Sequence, residues 1–188
     1  MNTELTQGIE RVLITSEQLK NTVSELGARI SRDYAGKNPL MVSVLKGAFI
    51  FMADLVREIT VPCTVDFMAV SSYGKGAKSS GQVQIIKDLD TNIEGRHVIV
   101  VEDILDSGVT LSYLLELLRA RRPASVRLCA LLDKPARRKV PVEIDYRGLT
   151  VPDEFIVGYG LDYAEQYRNY PEIAVLKREM YETHSSQV

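Results

Sequence analysis

The sequence predicts an α/β fold, an open and mostly parallel twisted sheet flanked by helices. Two observations lead to this prediction. Short runs rich in β-branched residues, such as residues 98–101 (VIVV), are unbroken by polar residues, which is typical of strands buried on both faces. These runs alternate along the chain with helical patterns, as in βαβ units. The 188 residues are 45% hydrophobic and 26% charged, which fits one globular domain with its core at about residues 35–150.

The elements can be followed from the N-terminus. Thr15 and Gln18 match a capping box, so a helix begins there. Its apolar residues recur at helical spacing, and residues 36–39 (GKNP) end it. Further strands are predicted at 40–45, 61–70, 83–86, 98–101, 125–132 and 155–160, and further helices at 49–59 and about 110–121. Residues 141–151 are rich in turn formers, and residues 71–81 (SSYGKGAKSSG) have the composition of a loop.

Charge and composition argue against several classes of function. A formal net charge of −2 gives no support to bulk nucleic-acid binding. No apolar run approaches the ~20 residues that span a bilayer, and the first ten residues lack a signal-peptide pattern. Cys63 and Cys129 lie in apolar, strand-like runs, where buried free thiols are expected. We therefore expect a cytoplasmic protein with no nucleic-acid or membrane partner.

The most informative stretch is residues 98–111 (VIVVEDILDSGVTL), a buried strand followed by three acids in a short loop. Glu102 and Asp103 come first, Asp106 follows beside Ser107 and Gly108, and a leucine-rich helix comes next. Such a loop can wrap a phosphate with backbone N–H groups, assisted by the helix dipole. Its carboxylates can bind a metal ion or ribose hydroxyls, or accept a proton. The alternative is an ordinary strand-to-helix turn that is acidic.

This stretch resembles the signature of type I phosphoribosyltransferases, which bind phosphoribosyl pyrophosphate (PRPP). The resemblance implies their fold, with a small hood built from about residues 1–14 and 151–188. It implies a PRPP site at Glu102, Asp103, Asp106, Ser107, Gly108, Val109 and Thr110. Val109 stands where many eukaryotic relatives have lysine, so that position supplies only its backbone. In the implied reaction Asp106 is the catalytic general base.

Two further loops gain a meaning from this resemblance. Lys46 and Gly47 form a turn after a strand, which by itself reads as a plain tight turn or an anion-binding turn. In the related purine enzymes this turn holds pyrophosphate and often contains a cis peptide bond. Ser72 and Tyr73 open the Gly/Ser/Lys loop, which is either a solvated loop or, by resemblance, a lid that closes over the site.

Two segments resemble the purine site of hypoxanthine-guanine phosphoribosyltransferases. One contains Lys134, and the other spans residues 151–168. Without the resemblance they read as a surface lysine and as a strand with an aromatic turn. By resemblance Lys134 binds the exocyclic oxygen of a 6-oxopurine, Phe155 stacks on the purine, and the Ile156 backbone meets the base edge. Asp162 is expected both in the purine-binding set and at a second Mg²⁺, and Arg168 at the pyrophosphate.

The resemblance implies purine salvage, in which hypoxanthine or guanine reacts with PRPP to give the nucleoside monophosphate and pyrophosphate. It implies Mg²⁺ at Glu102, Asp103 and Asp162. It also implies a homodimer or a homotetramer.

Two alternatives remain at this stage. One is transfer to another base: xanthine, guanine alone, or adenine, although Lys134 argues against adenine. The other is a regulator of the kind that controls pyrimidine or purine operons, which binds RNA or DNA and uses PRPP as an effector. Asp106 argues against that, because attenuator-type loops replace the third acid.

Overall fold

The computed structural model describes residues 3–72 and 83–182. Within these ranges the strands are β1 (Ile9–Ile14), β2 (Leu40–Leu45), β3 (Thr64–Ser72), β4 (Val83–Lys87), β5 (His97–Leu105), β6 (Ser125–Asp133), β7 (Tyr146–Thr150), β8 (Ile156–Val157) and β9 (Ile173–Leu176). The α-helices are α1 (Thr3–Thr6), α2 (Ser16–Asp33), α3 (Phe49–Glu58), α4 (Val109–Ala120) and α5 (Arg178–Glu182), with a 3-10 turn at Pro135–Arg137. No helix in the described ranges is long and apolar enough to cross a membrane.

The larger sheet is mostly parallel, as the sequence predicts. Its strand order is β4-β3-β2-β5-β6-β7, and only the edge strand β4 runs antiparallel to its neighbour. The chain continues from β2 to β3 on one side and from β5 to β6 on the other, so the direction of winding reverses between β2 and β5. Open α/β sheets bind ligands at the carboxyl ends of strands beside such a reversal.

The central strand β5 is buried on both faces. Ile99 and Val101 pack with α2 and α3 in one hydrophobic cluster, whereas Val98 and Val100 pack with α4 in another. All four residues have no measurable exposure. This explains the unbroken apolar run, because alternate residues of a strand face opposite sides of the sheet. The two-sided packing therefore fixes the position at which β5 reaches its acidic end.

Helix α2 begins as its sequence predicts. The Gln18 backbone N–H donates to the Thr15 hydroxyl at 3.3 Å, and the Thr15 backbone N–H donates to the Gln18 side chain at 2.9 Å. This reciprocal pair is the predicted capping box. The apolar residues of α2 that follow are buried in the core: Leu19, Val23, Leu26 and Ile30. The helix ends at Asp33, just before Gly36 with its φ of +75°.

The two ends of the chain meet in a second sheet with the order β1-β9-β8. Strand β9 lies in the middle and pairs antiparallel with both neighbours, so residues near positions 10 and 175 lie side by side. The terminal segments, from which a hood is predicted, thus contribute the three strands of this sheet. Strand β8 follows the larger sheet after a short connection, which brings this second sheet to the carboxyl ends of the parallel strands.

Several predicted boundaries are wrong. Residues 141–151 contain strand β7, which pairs parallel with β6, where the composition had indicated turns. Strand β5 extends to Leu105, so Glu102 and Asp103 lie within it and the loop contains only residues 106–108. The predicted strand at 155–160 is regular only at Ile156–Val157, because Gly158, Tyr159 and Gly160 all have positive φ angles. Strands β1 and β9 were not predicted.

Candidate active site

Three neighbouring strands direct chemically active residues to one edge of the sheet. Strand β2 ends at Leu45 and leads into Lys46 and Gly47, β5 leads into Asp106, and β6 leads into Lys134. These strands are adjacent and parallel, so their carboxyl ends lie side by side. The structure thus brings together the three loops that the sequence singles out, at the reversal point of the sheet.

The loop between β5 and α4 has the geometry of an anion cradle. Gly108 precedes the first turn of α4 with a φ of +81°, a conformation that residues with a side chain rarely adopt. A Cβ atom there would lie 2.6 Å from the Val140 carbonyl oxygen, so glycine is required for space as well. The Ser107 hydroxyl accepts a hydrogen bond from the Val109 N–H at 3.4 Å. The N–H groups of the first helical turn have no acceptor within their own helix, and the helix dipole favours an anion at this end.

Arg138, which the sequence analysis did not single out, braces this loop from outside. Its guanidinium donates to the carbonyl oxygens of Asp106 at 2.9 Å and Leu105 at 3.2 Å, and pairs with the buried carboxylate of Asp133. The N–H groups of Lys139 and Val140 donate to the Ser107 carbonyl. No local sequence motif predicts these contacts, because they join segments about 30 residues apart.

The two acids inside β5 lie in a poorly solvated environment. Burial raises the pKa of Glu102 well above its usual value, and the neighbouring Asp103 charge raises it further. Burial also raises the pKa of Asp103 to about 6, even though the Ile104 N–H and the Arg168 charge act in the opposite direction. A cation brought to these carboxylates would therefore relieve an unfavourable concentration of negative charge.

Asp103 is packed against the turn that follows β2. A Cβ atom at Gly47 would lie 1.9 Å from Oδ2 of Asp103, and one at Gly160 would lie 2.1 Å from the Gly47 carbonyl oxygen. The Leu45–Lys46 peptide bond in this turn is cis. The β2 turn thus packs against the Asp103 side chain of β5 on one side and against the backbone of the segment after β8 on the other.

Arg168 and Lys46 place two positive charges at this junction. Arg168 donates to the Gly160 carbonyl at 2.9 Å and pairs with Asp162 at 2.9 Å. Glu165, which was not predicted, pairs with Lys46 at 3.0 Å and with Arg168 at 3.3 Å. These residues lie in an irregular turn rather than in a helix, so their spacing in the sequence did not predict that the three side chains converge. Both cations expected at a pyrophosphate lie here.

A cavity of about 180 Å³ lies beside the loop. It is lined by Ile104, Asp106, Lys134, Arg137, Glu154, Phe155, Ile156 and Leu161. Lys134 is only 7% exposed and donates from Nζ to the Glu154 carbonyl at 2.9 Å. Burial lowers the pKa of Lys134, with Arg137 acting in the same direction and Asp106 against it. The predicted base-binding residues Lys134, Phe155 and Ile156 therefore share one cavity.

Phe155 is also held from outside the cavity. Its ring stacks on Tyr181 of α5 with centroids 4.9 Å apart, and meets Tyr163 edge to face at 5.6 Å. The Phe155 side chain is 38% exposed, which leaves part of it open to a ligand. These aromatic contacts fix the orientation of the ring before any ligand binds.

Asp106 joins the two cavities. It lines the base-sized cavity with Lys134 and Phe155, and it lines a cavity of about 290 Å³ together with Glu102, Ser107, Gly108 and Thr110. Its Oδ1 atom is buried and has no hydrogen-bond partner among the described residues. An orphaned carboxylate oxygen at the junction of two cavities is suited to accept a proton from a ligand that fills both.

Hard carboxylate ligands are present for a cation, but they do not form a complete metal site. Within residues 3–72 and 83–182, no group of three His, Cys, Asp or Glu side chains could hold a metal ion. Glu102, Asp103 and Asp162 are therefore not a closed cage. Mg²⁺ is usually bound by one or two carboxylates together with substrate phosphates, so this donor set fits an Mg²⁺ that arrives with a phosphorylated ligand.

Comparison with known proteins decides the family. A family model described as the phosphoribosyl transferase domain matches residues 14–164. The chain belongs to the phosphoribosyltransferase family. It is 54% identical over 175 residues to the hypoxanthine-guanine phosphoribosyltransferase of Bacillus subtilis. These aligned residues cover 93% of this chain and 97% of that protein. A crystal structure of a hypoxanthine phosphoribosyltransferase from Staphylococcus aureus superposes with a TM-score of 0.93 at 49% identity, covering 96% and 98% of the two chains.

A longer relative contains the same phosphoribosyltransferase region. The bifunctional protein TilS/HprT of Listeria innocua is 54% identical over 180 residues, which cover 96% of this chain. The present chain spans only 28% of the length of that protein.

Most of the residues that the sequence singles out lie together at one edge of the larger sheet. Lys46, Gly47, the acids of β5, the loop at 106–110, Lys134, Phe155, Ile156, Asp162 and Arg168 all lie at the carboxyl edge of the sheet. Ser72 is the last residue of β3, whereas Tyr73 lies outside the described residues. The predicted lid is thus represented only by its first residue.

Proposed function

We propose that this phosphoribosyltransferase transfers the 5-phosphoribosyl group of PRPP to hypoxanthine or guanine in purine salvage. The observation that carries the proposal is the position of Asp106 at the junction of two cavities, one with a phosphate cradle and one with a buried lysine and an aromatic ring. The names of the relatives support the same activity.

The larger cavity suits the phosphoribosyl half of PRPP. The N–H groups of the loop and of the first turn of α4 would bind the 5′-phosphate, together with the hydroxyls of Ser107 and Thr110. Val109 contributes its N–H alone. Glu102 and Asp103, which lie within the last four residues of β5, would engage the ribose hydroxyls. Lys46, the Gly47 backbone and Arg168 would bind the pyrophosphate.

Glu102 and Asp103 would hold the Mg²⁺ bound to PRPP, and Asp162 would hold a second ion; bound there, Mg²⁺ would supply positive charge to offset the negative charge of the pyrophosphate. The chain itself supplies the rest of the electrostatic support. Arg168 is fixed by Gly160 and Asp162, so it presents its charge without a large loss of side-chain entropy.

The reaction forms the bond between N9 of the purine and C1′ of the ribose, while the bond from C1′ to the pyrophosphate oxygen breaks. The purine loses its N7 proton in this step, and Asp106 accepts it. The orphaned, buried Oδ1 atom suits this role because no protein group competes for it among the described residues. Lys134 would donate to the O6 atom of the purine, and Phe155 would stack on its ring.

Other elements of the proposal follow the family pattern. Residues 1–188 would act as one functional unit, with Ser72 and Tyr73 beginning a lid that excludes water. Two free thiols, Cys63 and Cys129, suit a cytoplasmic location. Assembly into a homodimer or a homotetramer stays a prediction.

The experiment is a comparison of kcat/KM for hypoxanthine, guanine, xanthine and adenine, each with PRPP and Mg²⁺. Turnover of 6-oxopurines with adenine inert is the expected result, because Lys134 can donate to an oxygen at position 6 but has no partner in an amino group. Failure of every base while PRPP still binds would refute the proposal and would favour a regulator that binds RNA or DNA.

A further inference from the structure

Glu165 occupies the position that the proposed function gives to the pyrophosphate. One of its carboxylate oxygens lies 3.0 Å from Nζ of Lys46, and the other lies 3.3 Å from the guanidinium of Arg168. These are the two side-chain cations assigned to pyrophosphate. Lys46 and Arg168 come from segments more than 100 residues apart, so a single carboxylate bridges the two sides of the site.

The backbone holds Glu165 in this position. Tyr163 and Gln166 exchange two backbone hydrogen bonds of 3.1 and 3.0 Å, which close a tight turn around Ala164 and Glu165. Both residues of the turn have φ in the left-handed region, 50° and 63°. The Glu165 N–H donates to the Asp162 carboxylate at 2.9 Å. A left-handed conformation is uncommon for residues other than glycine, so the direction of this side chain is specifically maintained.

The contacts made by Glu165 are easily exchanged. The side chains of Lys46 and Glu165 are 66% and 64% exposed, and exposed ion pairs are weak. Arg168 is also held by bonds to Gly160 and Asp162 that do not involve the Glu165 carboxylate. A pyrophosphate with several negative charges can therefore displace one exposed carboxylate without disturbing Arg168.

We propose that Glu165 is an internal competitor of pyrophosphate, which neutralises Lys46 and Arg168 in the ligand-free chain and is displaced when the ligand binds. The inference rests on the proposed function for the identity of the ligand. Its consequence is weaker pyrophosphate binding and faster release of that product, because the carboxylate re-forms its pairs as pyrophosphate departs. Glu165 acts only through the two cations, so it is a positioning residue.

The test measures the affinity of Mg²⁺-pyrophosphate by calorimetry for the full chain, Glu165→Gln and Glu165→Ala. Glutamine keeps the shape of the side chain and removes its charge, and alanine removes both. Glu25→Gln, a change of an exposed residue on α2, is the matched control. We expect both Glu165 variants to bind pyrophosphate roughly three- to tenfold more tightly than the unchanged chain and the control. The gain should shrink at high salt.

The kinetic readout separates competition from a merely structural role. Product inhibition by pyrophosphate should become tighter in Glu165→Gln, and KM for PRPP should fall without a rise in kcat. Pyrophosphate binding that is unchanged or weaker in both variants would overturn the inference. Turnover of PRPP and hypoxanthine by the unchanged chain tests the proposed function separately. If the unchanged chain turns over but the Glu165 variants bind pyrophosphate no more tightly, only the inference about Glu165 is refuted.

Discussion

The carboxylate of Asp103 lies directly against the α-carbon of Gly47. A methyl group built on Gly47 would be 1.9 Å from Oδ2, far closer than van der Waals contact allows. The contact joins the turn after β2 to the acidic end of β5, the two strands between which the sheet reverses its winding. The proposed ribose and pyrophosphate positions therefore depend on each other through one pair of residues.

Gly47→Ala should impair PRPP binding by ten-fold or more and destabilise the fold by about 1–3 kcal/mol, because the new methyl group overpacks this contact. Denaturant unfolding and PRPP calorimetry measure the two effects. The double variant with Asp103→Ala removes the atoms that the methyl group meets. Recovery of stability in the double variant is expected, and additive losses would show that the contact is not the cause.

Asp103→Asn should stabilise the ligand-free protein at neutral pH by about 1–3 kcal/mol. Burial raises the pKa of Asp103 from its ordinary value of 3.8 to about 6. Between these two pH values the folded chain retains a proton that the unfolded chain has lost. The contribution of this group to stability therefore declines as pH rises from about 4 to about 6. Asparagine has no charge, and its oxygen can still accept from the Ile104 N–H.

The measurement is the free energy of unfolding of both proteins across this pH range. The advantage of Asp103→Asn should vanish below pH 4, where the aspartate is protonated in both states. An advantage that is independent of pH would refute the electrostatic explanation. The variant should also bind PRPP less well, since a neutral amide cannot replace a carboxylate at a cation.

Asp66→Asn should have the opposite effect. Asp66 is 6% exposed, and although burial alone raises its pKa, hydrogen bonds from the Phe67 and Asp90 N–H groups and the Thr91 hydroxyl lower it overall. The stabilisation by the ionised Asp66 is complete above pH 3.8, its ordinary pKa. It is lost as the pH falls through the lower pKa that Asp66 has in the folded chain. We expect the variant to lose about 1–3 kcal/mol at neutral pH, measured by unfolding. An equal loss in strong acid would contradict this account.

Lys134→Met should lower kcat/KM for hypoxanthine by about 10²-fold, because the variant loses a charged donor in the base cavity and leaves the Glu154 carbonyl without its 2.9 Å partner. Initial rates at varied hypoxanthine measure this loss. Lys139→Met, an exposed change five residues away, is the control and should retain full activity. Equal rates for both variants would remove Lys134 from base recognition.

The sequence predicts those parts of the site that depend on local pattern. The run at 98–101 is apolar because helices pack on both faces of β5 there, and the acids of β5 follow this run directly. The capping box at Thr15 is likewise a contact between residues three apart. Such features can be read from neighbouring residues alone.

The features that escaped prediction depend on distant partners. Strand β7 (YRGLT) has no apolar run, and Gly148 is needed there because a Cβ atom would lie 2.3 Å from the Leu131 carbonyl. Strands β1 and β9 pair across the whole length of the chain. Arg138 braces the Asp106 loop through contacts that only the folded chain creates. The residue pattern of a short segment does not indicate which distant residues it will contact.

The most direct test of the central claim is Asp106→Asn, assayed for formation of inosine monophosphate from PRPP and hypoxanthine with Mg²⁺. If Asp106 accepts the purine proton at the junction of the two cavities, kcat should fall by ~10²-fold or more, while calorimetry shows that PRPP still binds. An amide of the same shape cannot accept that proton. Turnover equal to that of the unchanged chain would contradict the account.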